Sequence, residues 1–275
     1  MNTGIIIRHS EGEEMRGIFA DLAKQDFRHG QLVSWDPKYW TAENAQEIRA
    51  LTAEFGVEIT AFWCGWEGPK IWNFTEGPET LGIVPVAFRA QRIQNLLDGA
   101  AYARLLGLTD VVTHMGFIPE NISDPTWPGV VAAVRAVAAE LKENGQNLLF
   151  ETGQETPVVL LRLFEAVGTG NLYVNLDPAN LILYGKGNPV DALDVFGRLV
   201  RGVHAKDGFY PTNGTELGEE VKVGEGKVNF PLFLKELKKC GYDGSLTIER
   251  EITGEQQIRD IIETKKYLDD LIAQL

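Results

Sequence analysis

Cysteine is nearly absent. Only Cys64 and Cys240 occur among 275 residues, far apart and without metal-finger spacing, which argues against a disulfide scaffold and for free thiols in a reducing compartment. Long apolar runs are missing as well. The stretch Met1-Asn2-Thr3-Gly4-Ile5-Ile6-Ile7-Arg8 is too short for a signal sequence, and no later segment has the length to span a bilayer. A cytoplasmic protein is the expectation. Positive charge is in deficit, with 26 Lys and Arg against 39 Asp and Glu, a formal net charge of -13. Nucleic acids and anionic membranes are held by Lys and Arg that neutralise phosphates, so this balance opposes both as partners. The first strand candidate runs into Arg8-His9-Ser10-Glu11-Gly12 and not into a Gly-rich phosphate fingerprint, which leaves a dinucleotide-binding fold with little support.

What is present is a repeated design in which a short apolar strand ends in an ionisable residue. Leu148-Leu149-Phe150 runs into Glu151, and Tyr173-Val174-Asn175-Leu176 into Asp177. Val200-Arg201-Gly202-Val203 runs into His204, with Lys206 and Asp207 just beyond, and Leu246-Thr247-Ile248 into Glu249. Between such strands the apolar spacing switches to that of helices. Thr41 reads as the N-cap of a helix striped by Ile48, Leu51 and Phe55 and closed by Gly56. A longer helix is predicted from about Val86 to Leu106. Thr156-Pro157 reads as a cap followed by Pro at the first helical position, and Asn229 as the cap of the helix with Phe233 and Leu237. Eight strands alternating with helices, in a chain of this size, predict a closed (β/α)8 TIM barrel as one domain over residues 1–275.

In such a barrel the strand C-termini share one mouth, so Glu151, Asp177, His204 and Glu249 are expected to meet there. A lone carboxylate at a strand end is usually a helix cap or a surface charge, but four ligand types on successive strands are hard to read that way. Three carboxylates within a few ångströms repel by roughly 4 kcal/mol per pair at 4 Å and an effective dielectric of about 20. One divalent ion, Mn, Mg or Zn, relieves that repulsion and suits a set of three oxygens and one nitrogen without thiolates. Holding a carbonyl and the neighbouring hydroxyl of a sugar, such an ion acidifies the C–H between them and stabilises an ene-diolate. Glu151 and Glu249 are then the candidate acid and base. His114, which also ends a strand, and Lys206 are candidate substrate contacts, whereas Asp207 reads better as half of a local ion pair. A long connection between Cys64 and Pro85 holds Trp66 and Trp72, expected to form a sugar-stacking wall.

The segments Phe150-Glu151-Thr152, Leu176-Asp177-Pro178-Ala179-Asn180, Val203-His204-Ala205-Lys206-Asp207, Val223-Gly224-Glu225-Gly226 and Gly241-Tyr242-Asp243-Gly244-Ser245-Leu246-Thr247-Ile248-Glu249 resemble the motifs of the xylose isomerase-like barrels. That family includes sugar phosphate isomerases, ketose 3-epimerases, hydroxypyruvate isomerase, inosose dehydratase and endonuclease IV. The resemblance implies that Glu151, Asp177, His204 and Glu249 bind one divalent ion. Asn180 stands where ketose 3-epimerases commonly place a substrate-holding His, and Gly208-Phe209-Tyr210 where they tend to carry an Arg. Endonuclease IV needs extra histidines, and this chain has four in all. The expected activity is isomerisation or epimerisation of a sugar, sugar acid or sugar phosphate. A lyase acting on a keto-sugar or keto-inositol is the alternative, and a nuclease or a non-catalytic sugar- or metal-binding barrel is more remote. The sequence leaves assembly into a homo-oligomer open.

Overall fold

The computed structural model describes residues 1–10 and 14–275, so Glu11 and Gly12 of the first turn lie outside it. Ten strands and ten α-helices are described: β1 (Asn2–Arg8), α1 (Met15–Lys24), β2 (His29–Ser34), α2 (Ala42–Phe55), β3 (Glu58–Cys64), α3 (Gly77–Thr80), α4 (Val86–Leu106), β4 (Asp110–Thr113), α5 (Trp127–Glu143), β5 (Asn147–Glu151), α6 (Pro157–Val167), β6 (Leu172–Leu176), α7 (Pro178–Leu183), α8 (Pro189–Phe196), β7 (Val200–Ala205), β8 (Asp207–Gly208), β9 (Glu220–Val221), α9 (Phe230–Lys239), β10 (Ser245–Ile248) and α10 (Glu255–Ile272). Eight strands close a parallel ring in the order β1-β10-β7-β6-β5-β4-β3-β2. The ring shuts where Asn2 to Ile5 of β1 lie beside Ser245 to Ile248 of β10. The remaining two strands, β8 and β9, form a small antiparallel ribbon at the mouth.

The period of two along each strand sorts side chains between the lumen and the helix layer. Val33, Ala61, Trp63, Val112 and Leu149 pack together inside the ring, with Ile6 and Tyr173 against them. Their neighbours Ile5, Ile7, Leu32, Phe62, Val111, Leu148, Phe150 and Val174 face the helices in the main core. Continuing the lumen series by twos brings Arg8, Trp35, His114, Glu151, Asp177, His204, Lys206 and Glu249 to the mouth. The fold therefore aims the polar and aromatic residues of seven strand ends at one space.

Local signals decide the helix ends. Thr41 Oγ1 accepts from the Asn44 N–H, and Gly56 closes α2 in the left-handed conformation at φ 64°. Thr156 caps α6 ahead of Pro157. The reading of Asn229 as a capping side chain is corrected: it has φ 54° and makes no such bond, because the chain turns there through the left-handed region. The helix α7 is an addition to the sequence reading. Asp177, ending the lumen series, accepts from the Asn180 N–H and starts it. No described helix is long and apolar enough to cross a membrane.

Candidate metal and sugar site

Glu151, Asp177, His204 and Glu249 each present a ligand atom, and these atoms all lie within 4.8 Å of one another. His204 Nδ1 is 3.2 Å from Glu151 Oε1, 3.3 Å from Glu249 Oε2 and 3.8 Å from Asp177 Oδ2. The other ring nitrogen is engaged from below, where His204 Nε2 meets Gln31 Oε1 at 2.8 Å. Gln31 can offer only its oxygen there, because its Nε2 donates to Asn175 Oδ1 at 3.1 Å. That assigns the Nε2–H of His204 to a bond with Gln31 Oε1 and turns Nδ1 toward the carboxylates. Room for Asn175 comes from Gly202 on the next strand, where a Cβ would lie 2.2 Å from Asn175 Oδ1. Neither Gln31 nor Asn175 stands out in the sequence beyond being a lone amide in an apolar strand.

Two buried polar atoms at the centre of this set, Asp177 Oδ2 and His204 Nδ1, have no hydrogen-bond partner. Buried polar groups in native proteins are almost always paired, so two orphans aimed at one point fit a shared cation. The electrostatics agree. Burial raises the Asp177 pKa despite Lys206 nearby. Burial opposes ionisation of Glu249 too, but Lys206 and His204 pull its carboxyl down to about 2. Glu151 is likewise held well below the usual range, burial being outweighed by His114 and His204. Burial works against the His204 cation, yet Glu151 and Glu249 push its pKa well up. In the protein alone His204 thus carries positive charge that a divalent ion supplies in greater measure.

The surrounding residues have distinct tasks. Glu151 Oε2 accepts from the Trp63 indole N–H, and Glu151 Oε1 accepts from Asn180 Nδ2 at 3.2 Å. His114 touches Glu151 twice, with Nδ1 3.2 Å from the main-chain oxygen and Nε2 3.4 Å from Oε1. Lys206 is buried, and its Nζ lies 3.4 Å from Glu249 Oε2 and 2.6 Å from Glu251 Oε2. Thr152 Oγ1 donates to the Asp177 carbonyl at 2.8 Å and fixes the end of β6.

Above this floor is a cavity of about 470 Å³, within the range of pockets that enclose small organic ligands. His114, Glu151, Asn180, Lys206 and Glu249 reach it from the predicted set, and so does Trp72. Trp66 does not, and its expected place in a stacking wall is corrected. Its ring is fully buried, with the Arg92 guanidinium 4.2 Å from its centre and the Trp72 ring centre 6.4 Å away. Trp35 and Trp63 take its place in the wall, their ring centres 4.7 Å apart. Replacing Trp66 with Ala is expected to cost about 3–5 kcal/mol of stability as a core truncation. Replacing Trp72 with Ala, with 38% of its surface open, should instead weaken sugar binding at nearly unchanged Tm. Thermal melts and KM for the two variants check this, and equal loss of Tm in both would refute the assignment.

Asp207 is also corrected, since among the described residues it forms no ion pair. Its carboxylate accepts from four backbone N–H groups, those of Gly208, Gly224, Gly226 and Val228, at 2.9–3.0 Å. Gly226 permits this close approach, because a Cβ there would lie 2.1 Å from Asp207 Oδ1. The loop that carries Leu217 into the cavity wall is pinned in this way. Arg250 points outward to Glu220 and Asp260.

Behind His114 lies Glu155, buried and without a well-formed hydrogen bond to either oxygen. Burial pushes its pKa up to about 7 against 4.5 for the free side chain. The folded state then prefers the proton more than the unfolded state does. The chain is most stable, as far as this group is concerned, below pH about 4.5, and loses about 3 kcal/mol as pH rises through about 7. Glu155→Gln should remove that dependence. Relative to the wild type, its Tm should rise by several degrees more at pH 8 than at pH 5, and an equal offset at both values would contradict it.

The model of the xylose isomerase-like TIM barrel family matches residues 19–271. A crystal structure of a xylose isomerase domain protein from Planctomyces limnophilus superposes with a TM-score of 0.91 at 32% identity, over 98% of this chain and 96% of that one. A D-tagatose 3-epimerase-like protein superposes with a TM-score of 0.77 at 22% identity, over 99% and 97% of the two chains. The uncharacterized protein MJ1311 of Methanocaldococcus jannaschii is 25% identical over 94% of this chain and 85% of its own length.

Proposed function

Because the chain belongs to the xylose isomerase-like TIM barrel family, and because its mouth gathers Glu151, Asp177, His204 and Glu249 in a cluster that could hold an ion, we propose that it is a divalent-metal-dependent sugar isomerase or epimerase. The observation that carries this reading is the pair of buried orphans, Asp177 Oδ2 and His204 Nδ1, between Glu151 and Glu249. Glu151, Asp177, His204 through Nδ1, and Glu249 would hold the ion. The chemistry it supplies when bound is positive charge beside a carbonyl, which acidifies the adjacent C–H.

The protein's own groups do the rest. Glu151 on β5 and Glu249 at the end of β10 stand three strands apart in the ring, so they address a substrate between them from different sides. One removes the proton and the other returns one, giving epimerisation when the faces differ. Trp63 and Asn180 each donate to a different oxygen of Glu151, which fixes the plane of that carboxylate. Lys206 donates toward Glu249 and reaches the same cavity, where it can hold a substrate hydroxyl. Trp35, Trp63 and Trp72 offer the apolar face against which a sugar ring stacks and excludes water.

The test is a panel of sugars and keto-sugars incubated in heavy water with metal-loaded protein and followed by NMR. Elemental analysis accompanies it, with about one ion per chain expected. Deuterium should enter next to a carbonyl in a product of unchanged composition. Loss of water or of a substituent would identify a lyase. Three ions per chain would favour the nuclease reading, and no exchange with any sugar would overturn the proposal.

A further inference from the structure

The cavity has two chemically different sides. The floor on β5, β6, β7 and β10 is acidic, with Glu151, Glu249 and Glu251, and its one lysine, Lys206, is neutralised by Glu249 and Glu251. The opposite wall on β1, β2 and β3 carries Arg8, Trp35, Trp63, Lys70 and Trp72 and no carboxylate. In a chain of net charge -13, two cations sharing an aromatic wall with no ion pair among the described residues are out of pattern.

Both cations are placed by the fold. Arg8 is the last residue of β1 and lies in register with Val33 of β2, on the lumen side of the alternation that includes Ile6. Among the described residues it makes no ion pair or side-chain hydrogen bond. Lys70 comes from the connection between β3 and α4. Its Nζ sits 5.1 Å from the centre of the Trp35 ring, and a long contact to the Gly68 carbonyl at 3.5 Å is its one protein acceptor. Glu67 acts on Lys70 only from beyond ion-pair distance and accepts hydrogen bonds from Gln91 and Asn95. Burial and the nearby Arg92 already pull the Lys70 pKa down, so an anion beside it would restore what the protein withholds. Arg8 and Lys70 therefore approach Trp35 from the strand before it and the loop after it, and face the same 470 Å³ space.

We infer that the substrate of this site is an anionic sugar derivative, whose carboxylate or phosphate lies between Arg8 and Lys70 while its reacting carbons lie at Glu151 and Glu249. The inference rests on the proposed sugar chemistry for the location of the reacting end. A guanidinium pairs with either anion through two parallel hydrogen bonds, and a lysine acts as a point charge beside it. The floor, with its ion bound, would take the carbonyl and hydroxyl of the reacting end, so the two sides together orient the substrate. A neutral sugar would use the floor and the tryptophans and leave both cations without a partner.

Binding is measured by calorimetry on the magnesium-loaded protein with D-ribulose against D-ribulose 5-phosphate, and D-fructose against D-fructuronate. The anionic member of at least one pair should bind about tenfold or more tighter, and whichever pair shows it identifies phosphate or carboxylate. That advantage should shrink with added salt and fall to near unity in the Arg8→Met/Lys70→Met variant, with an unchanged melt as the check on folding. Equal binding within both pairs overturns the inference. So does an anionic advantage that survives in the double variant, since the anion would then sit on the ion or Lys206. Deuterium exchange, followed separately, reports on the isomerase reading. An anion preference without exchange would fail that reading alone, and exchange without an anion preference would fail this inference alone.

Discussion

Glu151→Gln and Glu249→Gln are each expected to lower turnover by about 10²- to 10⁴-fold, the usual value of a positioned acid or base, with the barrel intact and much of the metal affinity kept. Gln preserves the size of the side chain and one acyl oxygen, so the contact with Asn180 or Lys206 has a remaining acceptor. What it loses is the ability to take a proton. At Glu151 there is a second cost, because an amide cannot accept from Asn180, Trp63 and His114 with both terminal atoms as a carboxylate does. The double variant should cost far less than the product of the singles, since both groups serve one proton-transfer cycle. Turnover, metal content and Tm of the three variants decide the matter. A Gln variant with near-normal turnover and its ion bound would reduce that Glu to a ligand and leave a single-base mechanism.

Arg92→Met is expected to combine a large loss of stability with a loss of binding, although it lies outside the metal set. Its guanidinium is fully buried on α4 and donates to three main-chain carbonyls, those of Gly82, Pro69 and Glu67, at 2.6, 2.8 and 3.2 Å. It also stacks on Trp66 and Phe88. One side chain thus ties together the connection that carries Lys70 and Trp72 to the mouth. Met keeps much of the stem but leaves three carbonyls without a donor, at about 1–3 kcal/mol for each that stays dry. The expected loss is about 3 kcal/mol or more, about 6–12 °C in Tm, together with weaker sugar binding. Lys should not rescue it, because a single ammonium cannot match three acceptors spread around a planar fork. A melt within about 2 °C of wild type would show that the connection is held otherwise.

The barrel and its four candidate ligand residues could be read from sequence because each rests on a local pattern: an apolar run with a period of two, then an ionisable residue at its C-terminal end. The partners that orient those residues could not. Gln31 is 173 positions from His204 and Trp63 is 88 from Glu151, and only closure of the ring makes them neighbours. Trp66 and Trp72 sit six positions apart in one connection, yet one is core and the other wall. The side chain that decides between them, Arg92, shares the buried face of its helix with Asn95, Leu96 and Gly99, but a charged residue type gives no sign from sequence that it will be buried. Asp207 looked like an ion-pair partner because a lysine precedes it, whereas its real partners are main-chain groups of a loop whose glycines bring the backbone close. The six-residue helix α7 was too short to show a period, although its cap, Asp177, was already singled out for another reason.

The seam between β1 and β10 gives the site a further property. Glu249 follows directly on β10, whose other flank is β7, while β1 is the first strand of the chain. A hemicylinder of β2 to β7 would already carry Glu151, Asp177 and His204, and Glu249 joins them once β10 docks on β7, after which β1 closes the ring against β10. An ion held by all four residues would favour the docked state of β10 by mass action. The proposed metal site would then act as a clasp on the circumference of its own scaffold, holding in place the strand on which β1 closes.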